Sequence, residues 1–537
     1  MKQSQQLVTL LVICICTFFV HLEAAFPDIM EMRNFTTARE MIAEGNWWFT
    51  TLNLEPRLEK PPLPTWITAW SVLAFGDFDN LYALRLPGAI MSTLMIFFFY
   101  GFVKEQTTEK YLPFAAASVL ATSLLIVQMG RTNSWDVYTH AFMVGSLWQF
   151  MVGINRKKSG PIIYSMLFMG LSVFSKGPVS LYALWLPFVI AYGVGYGGKE
   201  LTRHWKKLTF ILIGGLIIGF AWNIYMYLNQ PEVTEFVLNK ETTSWGTRHV
   251  KSILFYLNFP IFIGVWIPFL VAFFFYKLAK PVVNKIGNYR FALAWIVATI
   301  ILLSVIPTKK ERYLLPALIP MAFAVSYLVY GMYNKVKNNS LSKYEQLVVK
   351  LFVYILSGLT LIGSIVTIIL FKETIDSVTI ITFAVVVFLG IIGIKFLRDS
   401  NYEKLFFVPI GIVCVICLGA TPKLVQWTYG YDEFKSLAEI QKIEELKGLP
   451  IYIESQELDP KIVWLAGKPT KSMNSISYLD KSNFPSVAIT INPIRETYVK
   501  EDLDSVNVKP FGVFDFFRKD SKWKTSVYLV EWKEKAD

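Results

Sequence analysis

Thirteen apolar stretches constrain what this chain can fold into, because each is about long enough for a helix to cross a bilayer. The 537-residue chain is 54% hydrophobic and only 17% charged, whereas soluble domains average about 25% charged residues. We therefore predict an all-α polytopic membrane protein with about 13 transmembrane helices, at residues 7–25, 82–103, 111–129, 137–154, 161–174, 178–196, 208–228, 252–276, 291–307, 313–333, 351–371, 377–394 and 405–421.

The fifth stretch is short, and only Ser175, Lys176 and Gly177 separate it from the sixth. These two stretches could form a re-entrant pair or two tilted spans, and we favour two spans.

Composition excludes several other classes of protein. The four cysteines lie inside apolar runs, so no disulfide framework is expected. A formal net charge of +12 would suggest a nucleic-acid partner in a soluble protein. Here the basic bias of cytoplasmic loops explains most of that charge, and we expect no nucleic-acid partner.

The basic residues also predict the orientation in the membrane. If Met1 is cytoplasmic, each of six predicted inner loops carries two to four Lys or Arg residues. The first outer loop, 26–81, carries four bases against eight acids. We therefore predict a cytoplasmic N-terminus and an outer C-terminus. The first span also resembles a secretory signal peptide, but its basic n-region is weak and we favour a retained span.

The first outer loop and the tail both have the composition of folded segments. In the loop, residues 36–44 and 63–75 predict short helices lying along the membrane surface. In the tail, 432–446 predicts an amphipathic helix, followed by the strands PIYIES, PSVAITIN and SVYLVEW, with the helix DPKIVWLAG between the first two. We predict a transmembrane domain over 1–421, with 26–81 as a structured periplasmic loop, and a small extracytoplasmic α/β domain over 422–537.

The position of the charges argues against an ion-coupled transporter. Such proteins need ionisable residues deep in the bilayer, and the predicted spans contain almost none. The remaining charges gather at the outer helix ends, a mixture suited to holding a phosphate and activating a neighbouring group. Taken singly, each of them is more often an interface anchor than a ligand. They are Asp28, Glu31, Arg33, Lys60, Arg131, Asp136, Lys176, Glu241, Arg248, Lys309, Lys310, Glu311 and Arg312.

The first loop resembles that of the lipid A 4-amino-4-deoxy-L-arabinose transferases and the wider group related to protein O-mannosyltransferases. An acidic-Arg motif at Glu31 and Arg33 leads to Arg39-Glu40-Met41 and to a Glu-Lys-Pro-Pro turn at 59–62. Later landmarks follow in the expected order: Asp136, the turn Ser175-Lys176-Gly177-Pro178, Glu241, the stretch 249–256, and KKERYLLP at 309–316. The later spans and the tail resemble the family only in their overall architecture.

This resemblance implies a glycosyltransferase-C fold in the bacterial inner membrane and transfer of a sugar from a polyprenyl (undecaprenyl) phosphate at the periplasmic face. The acceptor could be lipid A, a glycolipid or a protein. Such donors need no nucleotide-binding fold, and no Walker A lysine motif or GxGxxG after a strand is present. A single displacement would invert the anomeric configuration.

The sequence leaves three alternative functions to compare with sugar transfer. A lipid-linked glycan ligase or polymerase would use a pyrophosphate donor on a similar scaffold. A transporter or flippase is disfavoured by the nearly charge-free spans. A membrane anchor for the tail would leave the outer charges unexplained.

The resemblance also implies roles for single residues. Glu31 or Asp28 would act as the catalytic acid or base, although the leading Asp of the family motif is replaced here by Met30. Either of the two acids could instead cap a helix. Lys60, whose backbone is restrained by Pro61 and Pro62, is the first candidate for the donor phosphate.

Further phosphate contacts are implied for Arg33, Arg248, Tyr313 and Arg131, although Arg248 stands three residues beyond the family spacing. Asp136, Lys176, Glu241 and Arg312 would support the site. Asp136 could pair with Lys60 or Arg131 instead of touching substrate.

The cofactor prediction stays open. The four histidines are too scattered for a histidine-based zinc site. A divalent metal ion held by Asp28 or Glu31 is compatible with the resemblance, but nothing in the sequence requires it.

Overall fold

A computed structural model describes residues 2–247, 249–337, 340–429, 435–454, 460–473, 480–491, 494, 505–515 and 524–533. The helices in this part of the chain are α1 (Gln3–Cys14), α2 (Ile29–Glu44), α3 (Leu63–Phe75), α4 (Leu81–Lys104), α5 (Leu112–Ala121), α6 (Leu124–Gly130), α7 (Trp135–Asn155), α8 (Gly160–Lys176), α9 (Leu186–Tyr196), α10 (Gly198–Arg203), α11 (Trp205–Asn229), α12 (Pro231–Thr247), α13 (Ile267–Phe274), α14 (Tyr276–Val283), α15 (Tyr289–Val305), α16 (Leu318–Lys337), α17 (Lys343–Leu370), α18 (Ser377–Arg398), α19 (Tyr402–Gly419), α20 (Thr421–Tyr429) and α21 (Pro460–Leu465).

Among the described residues, seven helices are long and apolar enough to cross a membrane, and an eighth crossing arises if α5 and α6 form one bent span. The other five predicted stretches also fall on helices, but these do not meet that test. A multi-pass helical protein is therefore confirmed, and the count of thirteen spans stays a prediction. The seven are α4, α11, Ile253–Phe274, Glu311–Val336, α17, α18 and α19.

The bend of 66° between α5 and α6 has a local cause. The hydroxyl of Thr122 donates to Ser118 O, and the hydroxyl of Ser123 donates to Val119 O, both at 2.7 Å. Side chains that bond to the preceding turn compete with the helical ladder. The predicted span 111–129 is thus broken at Thr122-Ser123.

The chain forms two compact units. The first contains Met1–Glu23, Leu58–Ile67 and Ala74–Thr421. Its centre is α16, which is almost wholly buried and packs against α5, α13, α14, α15 and α19. A helix that is apolar on all sides is typical of the interior of a bundle.

The second unit contains Ala24–Arg57, Thr68–Leu73 and Pro422–Asp537. It holds the hairpin β1 (Thr51–Leu52) and β2 (Glu55–Pro56), and a six-stranded sheet in the order β3-β7-β8-β6-β4-β5. The strands of the sheet are β3 (Lys435–Ser436), β4 (Ile451–Ile453), β5 (Thr470–Ser472), β6 (Ser486–Thr490), β7 (Val506–Asp515) and β8 (Lys524–Trp532). The domain boundary predicted after residue 421 stays a prediction.

The predicted strands correspond to β4, β6 and β8, and the predicted helix DPKIVWLAG corresponds to α21. The α-helix predicted at 432–446 is wrong for the described residues from 435 on. They form β3 and two 3-10 helices, Leu437–Lys442 and Glu444–Leu446. The buried residues Leu437 and Ile440 of the first are three apart, which is the period of a 3-10 helix.

Helix α2 begins seven residues before the predicted start at 36, because its N-terminus is capped. The Asp28 carboxylate accepts from the backbone N–H groups of Met30 and Glu31, at 2.7 and 2.8 Å. In return, Glu31 Oε2 accepts from Asp28 N at 3.2 Å. This reciprocal capping box stabilises the first turn.

Candidate active site

Asp136 lies at the centre of the candidate site in the first unit. It stands in the first turn of α7 and is buried. Ser134 caps this helix: its hydroxyl oxygen accepts from Asp136 N at 3.3 Å, and the hydroxyl lies 3.2 Å from Asp136 Oδ2, to which it donates. The cap fixes the position of the carboxylate at the helix end.

Two cations flank this carboxylate. Lys176 forms an ion pair with Asp136 Oδ1, and Arg312 Nε lies 3.9 Å from Oδ2. Lys176 is the last residue of α8, which ends where Gly177 adopts a φ of 81°. The partners predicted for Asp136 were Lys60 or Arg131, whereas the ion pairs present join it to Lys176 and Arg312, and Arg131 binds other groups.

Lys176 and Arg312 also share an aromatic neighbour. Lys176 Nζ lies 5.2 Å, and Arg312 Cζ 5.8 Å, from the centre of the Tyr313 ring. Both distances are within the range of cation–π attraction. The structure thus brings together Asp136, Lys176, Arg312 and Tyr313, which come from three distant parts of the sequence.

Two tyrosines that the sequence analysis did not single out belong to the same cluster. Tyr182 and Tyr256 both interact electrostatically with Tyr313 and Asp136. The Tyr256 hydroxyl donates to Lys310 O at 3.1 Å. Tyr256 is the last residue of the stretch 249–256, which is one landmark of the family resemblance. This position was the signal in the sequence by which Tyr256 could have been identified.

The charges of the cluster are strongly coupled. Burial acts to raise the pKa of Asp136, but Lys176 and Arg312 outweigh it and hold this pKa at about 2. The pKa of Lys176 is lowered to about 8, chiefly by burial. The positive charges of Arg312 and Lys60 also lower this pKa, whereas the negative charge of Asp136 raises it. With Asp136 ionised, Lys60, Lys176 and Arg312 leave an excess of positive charge.

Lys60 therefore lies within electrostatic reach of Lys176 in the same unit. It precedes Pro61 and Pro62, which lead into α3. An excess of positive charge carried by rigid helix ends is suited to bind a phosphate group.

The second unit contains Asp28, Glu31 and Arg33. Glu31 is 1% exposed, whereas Asp28 is exposed and its Oδ1 accepts both capping hydrogen bonds. Arg33 is half-buried on α2. This geometry supports helix capping by Asp28 and leaves Glu31 as the buried acid.

Arg131 is occupied by neighbours within the first unit. Its guanidinium donates to Thr17 O and Val20 O, at 2.9 and 2.8 Å, and to the Thr421 hydroxyl at 2.9 Å. A longer contact of 3.4 Å reaches Cys417 O. These bonds tie the end of α6 to the ends of two other helices, so they favour a structural role over the predicted phosphate contact.

Two predicted residues are not placed. Arg248 lies outside the described residues, and Glu241 lies on α12 with no description of its side chain. Lys309 is buried, and its ammonium donates to Ile306 O at 2.6 Å and Lys251 O at 3.2 Å. Lys309 therefore stabilises the chain that leads to Arg312.

The described residues contain no group of three or more His, Cys, Asp or Glu side chains positioned to hold a metal ion. The carboxylates of Asp28 and Glu31 accept backbone hydrogen bonds. This geometry gives no support to a divalent ion at these two residues.

Known proteins provide an independent comparison. A family model described as dolichyl-phosphate-mannose-protein mannosyltransferase matches residues 59–225. An undecaprenyl phosphate-alpha-4-amino-4-deoxy-L-arabinose arabinosyl transferase of Proteus mirabilis is 25% identical over 330 residues, which are 58% of this chain and 57% of that protein. An uncharacterized protein of Aquifex aeolicus is 26% identical over 306 residues, 57% of this chain and 60% of its own.

A crystal structure of ArnT from Cupriavidus metallidurans bound to undecaprenyl phosphate matches with a TM-score of 0.70 at 16% identity, over 98% of both chains. The apo form of the same protein gives a TM-score of 0.71 at 17% identity. The chain is similar to the 4-amino-4-deoxy-L-arabinose transferases in sequence and in fold. The family resemblance and the glycosyltransferase-C fold are thus confirmed. The matched segment spans less than two thirds of these relatives, 57% of the Proteus mirabilis transferase and 60% of the Aquifex aeolicus protein.

Proposed function

We propose that this chain is an integral membrane glycosyltransferase that moves a sugar from a polyprenyl phosphate to lipid A, another glycolipid or a protein. The observation that carries the proposal is the buried cluster in which Asp136 holds Lys176 and Arg312, with Lys60 nearby. Its surplus positive charge matches a phosphate leaving group. The names of the related transferases support the same donor class.

In the proposed reaction the acceptor oxygen attacks the anomeric carbon, and the bond from that carbon to the donor phosphate oxygen breaks. Lys60, Lys176 and Arg312 stabilise the negative charge that develops on the departing phosphate. Asp136 orients Lys176 and Arg312 without contacting the donor. A general base takes the acceptor proton, a role that the family resemblance implies for Glu31 or Asp28, and a single displacement inverts the anomeric configuration.

We further propose the finer features predicted from the sequence: about thirteen spans, a cytoplasmic N-terminus and a periplasmic site. On this basis, 1–421 forms the transferase domain in the bacterial inner membrane and 422–537 forms a periplasmic α/β domain. The basic bias of the predicted inner loops supports this orientation.

The test is transfer of label from a panel of radiolabelled polyprenyl-phosphate sugars to extracted envelope lipids and proteins, by the full chain in liposomes. We expect transfer by the parent chain and its loss in Lys60→Ala and in Glu31→Gln. Lys199→Ala, at an exposed lysine, and Glu44→Gln, at the opposite end of α2, are matched controls that keep activity.

Absence of transfer from every monophosphate donor by folded protein would overturn the proposal. Transfer from a pyrophosphate-linked glycan instead would identify the ligase or polymerase. Activity retained by both Lys60→Ala and Glu31→Gln would place the chemistry elsewhere in the chain.

A further inference from the structure

A cavity lies among the helices of the first unit, away from the phosphate cluster. It has a volume of about 290 Å³, at the lower limit for small-molecule pockets. Its walls come from α5, α13, α16, α17 and α19, and aromatic rings dominate them. The rings include Phe114, Trp266, Phe269, Phe352, Phe406 and Phe407.

The aromatic walls are held in place by their own contacts. Trp266 stacks on Phe352 with ring centres 6.0 Å apart, and Phe269 lies 4.7 Å from Phe352. The indole N–H of Trp266 donates to the Thr122 hydroxyl at 2.9 Å. Its polar atom is therefore satisfied, and Trp266 serves as a fixed apolar part of the cavity wall.

One edge of the cavity carries acidic and phenolic oxygens. Glu403, in the first turn of α19, lines the cavity and is exposed. The Tyr333 hydroxyl hydrogen-bonds to Glu403, and the Tyr330 hydroxyl donates to Glu109 Oε2 at 2.9 Å. An anionic group beside aromatic faces is the arrangement that binds organic ammonium ions.

This cavity is distinct from the phosphate cluster. Tyr313 and Tyr330 lie on the continuous helical run Glu311–Val336. At a rise of 1.5 Å per residue, their separation is about 25 Å. The two sites therefore lie towards opposite ends of the buried helix α16, and the topology predicted from the sequence places the cavity on the cytoplasmic side.

We propose that the cavity binds the head group and upper acyl chains of an aminophospholipid, with its primary ammonium group at Glu403. The aromatic walls contact the apolar part of this lipid. Because the volume is too small for a whole phospholipid, the rest of the chains extend into the bilayer.

The test uses native mass spectrometry of the full chain, delipidated in detergent and then incubated with phosphatidylethanolamine or phosphatidylglycerol carrying the same acyl chains. We expect the ethanolamine lipid to bind about tenfold more tightly, the effect of one charge-assisted hydrogen bond. Glu403→Gln removes this preference. Glu373→Gln, at another exposed glutamate, keeps it.

A second variant tests the cavity itself. Ala115→Leu places a larger side chain into the lining and is expected to weaken binding of both lipids. Equal binding of the two lipids, a preference for phosphatidylglycerol, or an unchanged preference in Glu403→Gln would overturn the proposal. If Ala115→Leu does not fold, as judged by thermal unfolding, the effect of Glu403→Gln on the lipid preference still tests the proposal.

Discussion

The Lys176 ammonium and the Asp136 carboxylate form an ion pair in which both side chains are buried, one at the end of α8 and the other at the start of α7. Hydroxyl contacts hold the two helices together: Thr139 donates to Ser172 O and Ser146 to Ser165 O, each at 2.8 Å. The cation is thus fixed by a scaffold that does not depend on substrate.

The buried pair predicts a distinct stability pattern. Asp136→Asn leaves Lys176 buried without its counter-charge and is expected to destabilise the protein by about 3–5 kcal/mol. The double variant Asp136→Asn with Lys176→Met removes both charges and recovers most of that loss. Thermal unfolding in detergent measures both effects.

Activity should behave differently in the same double variant. If Lys176 contacts the donor phosphate, transfer stays low after stability has recovered. Recovery of transfer together with stability would show that the pair has only a structural role.

Substitutions of Glu31 and Asp28 are expected to have different effects on activity. Asn is a good N-cap, so Asp28→Asn should keep helix α2 and most of the activity. Glu31→Gln removes the proposed base and should lower kcat by about 10²–10⁴-fold. Steady-state transfer kinetics measure both, and the reverse ranking would assign the base to Asp28.

Donor binding should weaken at alkaline pH. The pKa of Lys176 is lowered from its ordinary value to about 8, so its positive charge is complete below that pH and is lost as pH rises through it. KM for the donor should therefore rise above about pH 8. In Lys176→Arg the guanidinium stays charged, and that rise should disappear. A rise of equal size in both proteins would assign the titration to another group.

Arg131 is expected to act on stability alone. Arg131→Lys keeps the positive charge but cannot reproduce the three shorter hydrogen bonds. We expect a loss of about 2–4 kcal/mol with KM for the donor unchanged. A raised KM with unchanged thermal unfolding would restore the phosphate-binding role predicted from the sequence.

Sequence reasoning was most successful where one physical signal dominates. All thirteen predicted apolar stretches fall on helices, because long apolar runs leave few alternatives. The missed first turns of α2 had a readable signal, since Asp28 and Glu31 have capping-box spacing. Strand β7, with the irregular sequence VNVKPFGVFD, showed no clear alternation and was not predicted.

The site was less predictable because its pairings span long distances in sequence. Asp136 meets Lys176 across 40 residues. Arg131 meets Thr421 across 290. Helix ends that approach one another cannot be identified from local periodicity. The sequence therefore could not show which cations Asp136 meets, or that Arg131 binds backbone carbonyl groups.

The burial of α16 has a consequence for biogenesis. Its neighbours α5, α13, α14 and α15 precede it in the chain, whereas α19 is synthesised about 65 residues later. During translation, the side of α16 that later packs against α19 therefore faces lipid until α19 has been made. The first sixteen residues of α16, LIPMAFAVSYLVYGMY, include no charged residue, so this part of the helix can face lipid until α19 has been made. The order of synthesis thus explains why α16, which is buried in the folded protein, has an apolar composition suited to contact with lipid.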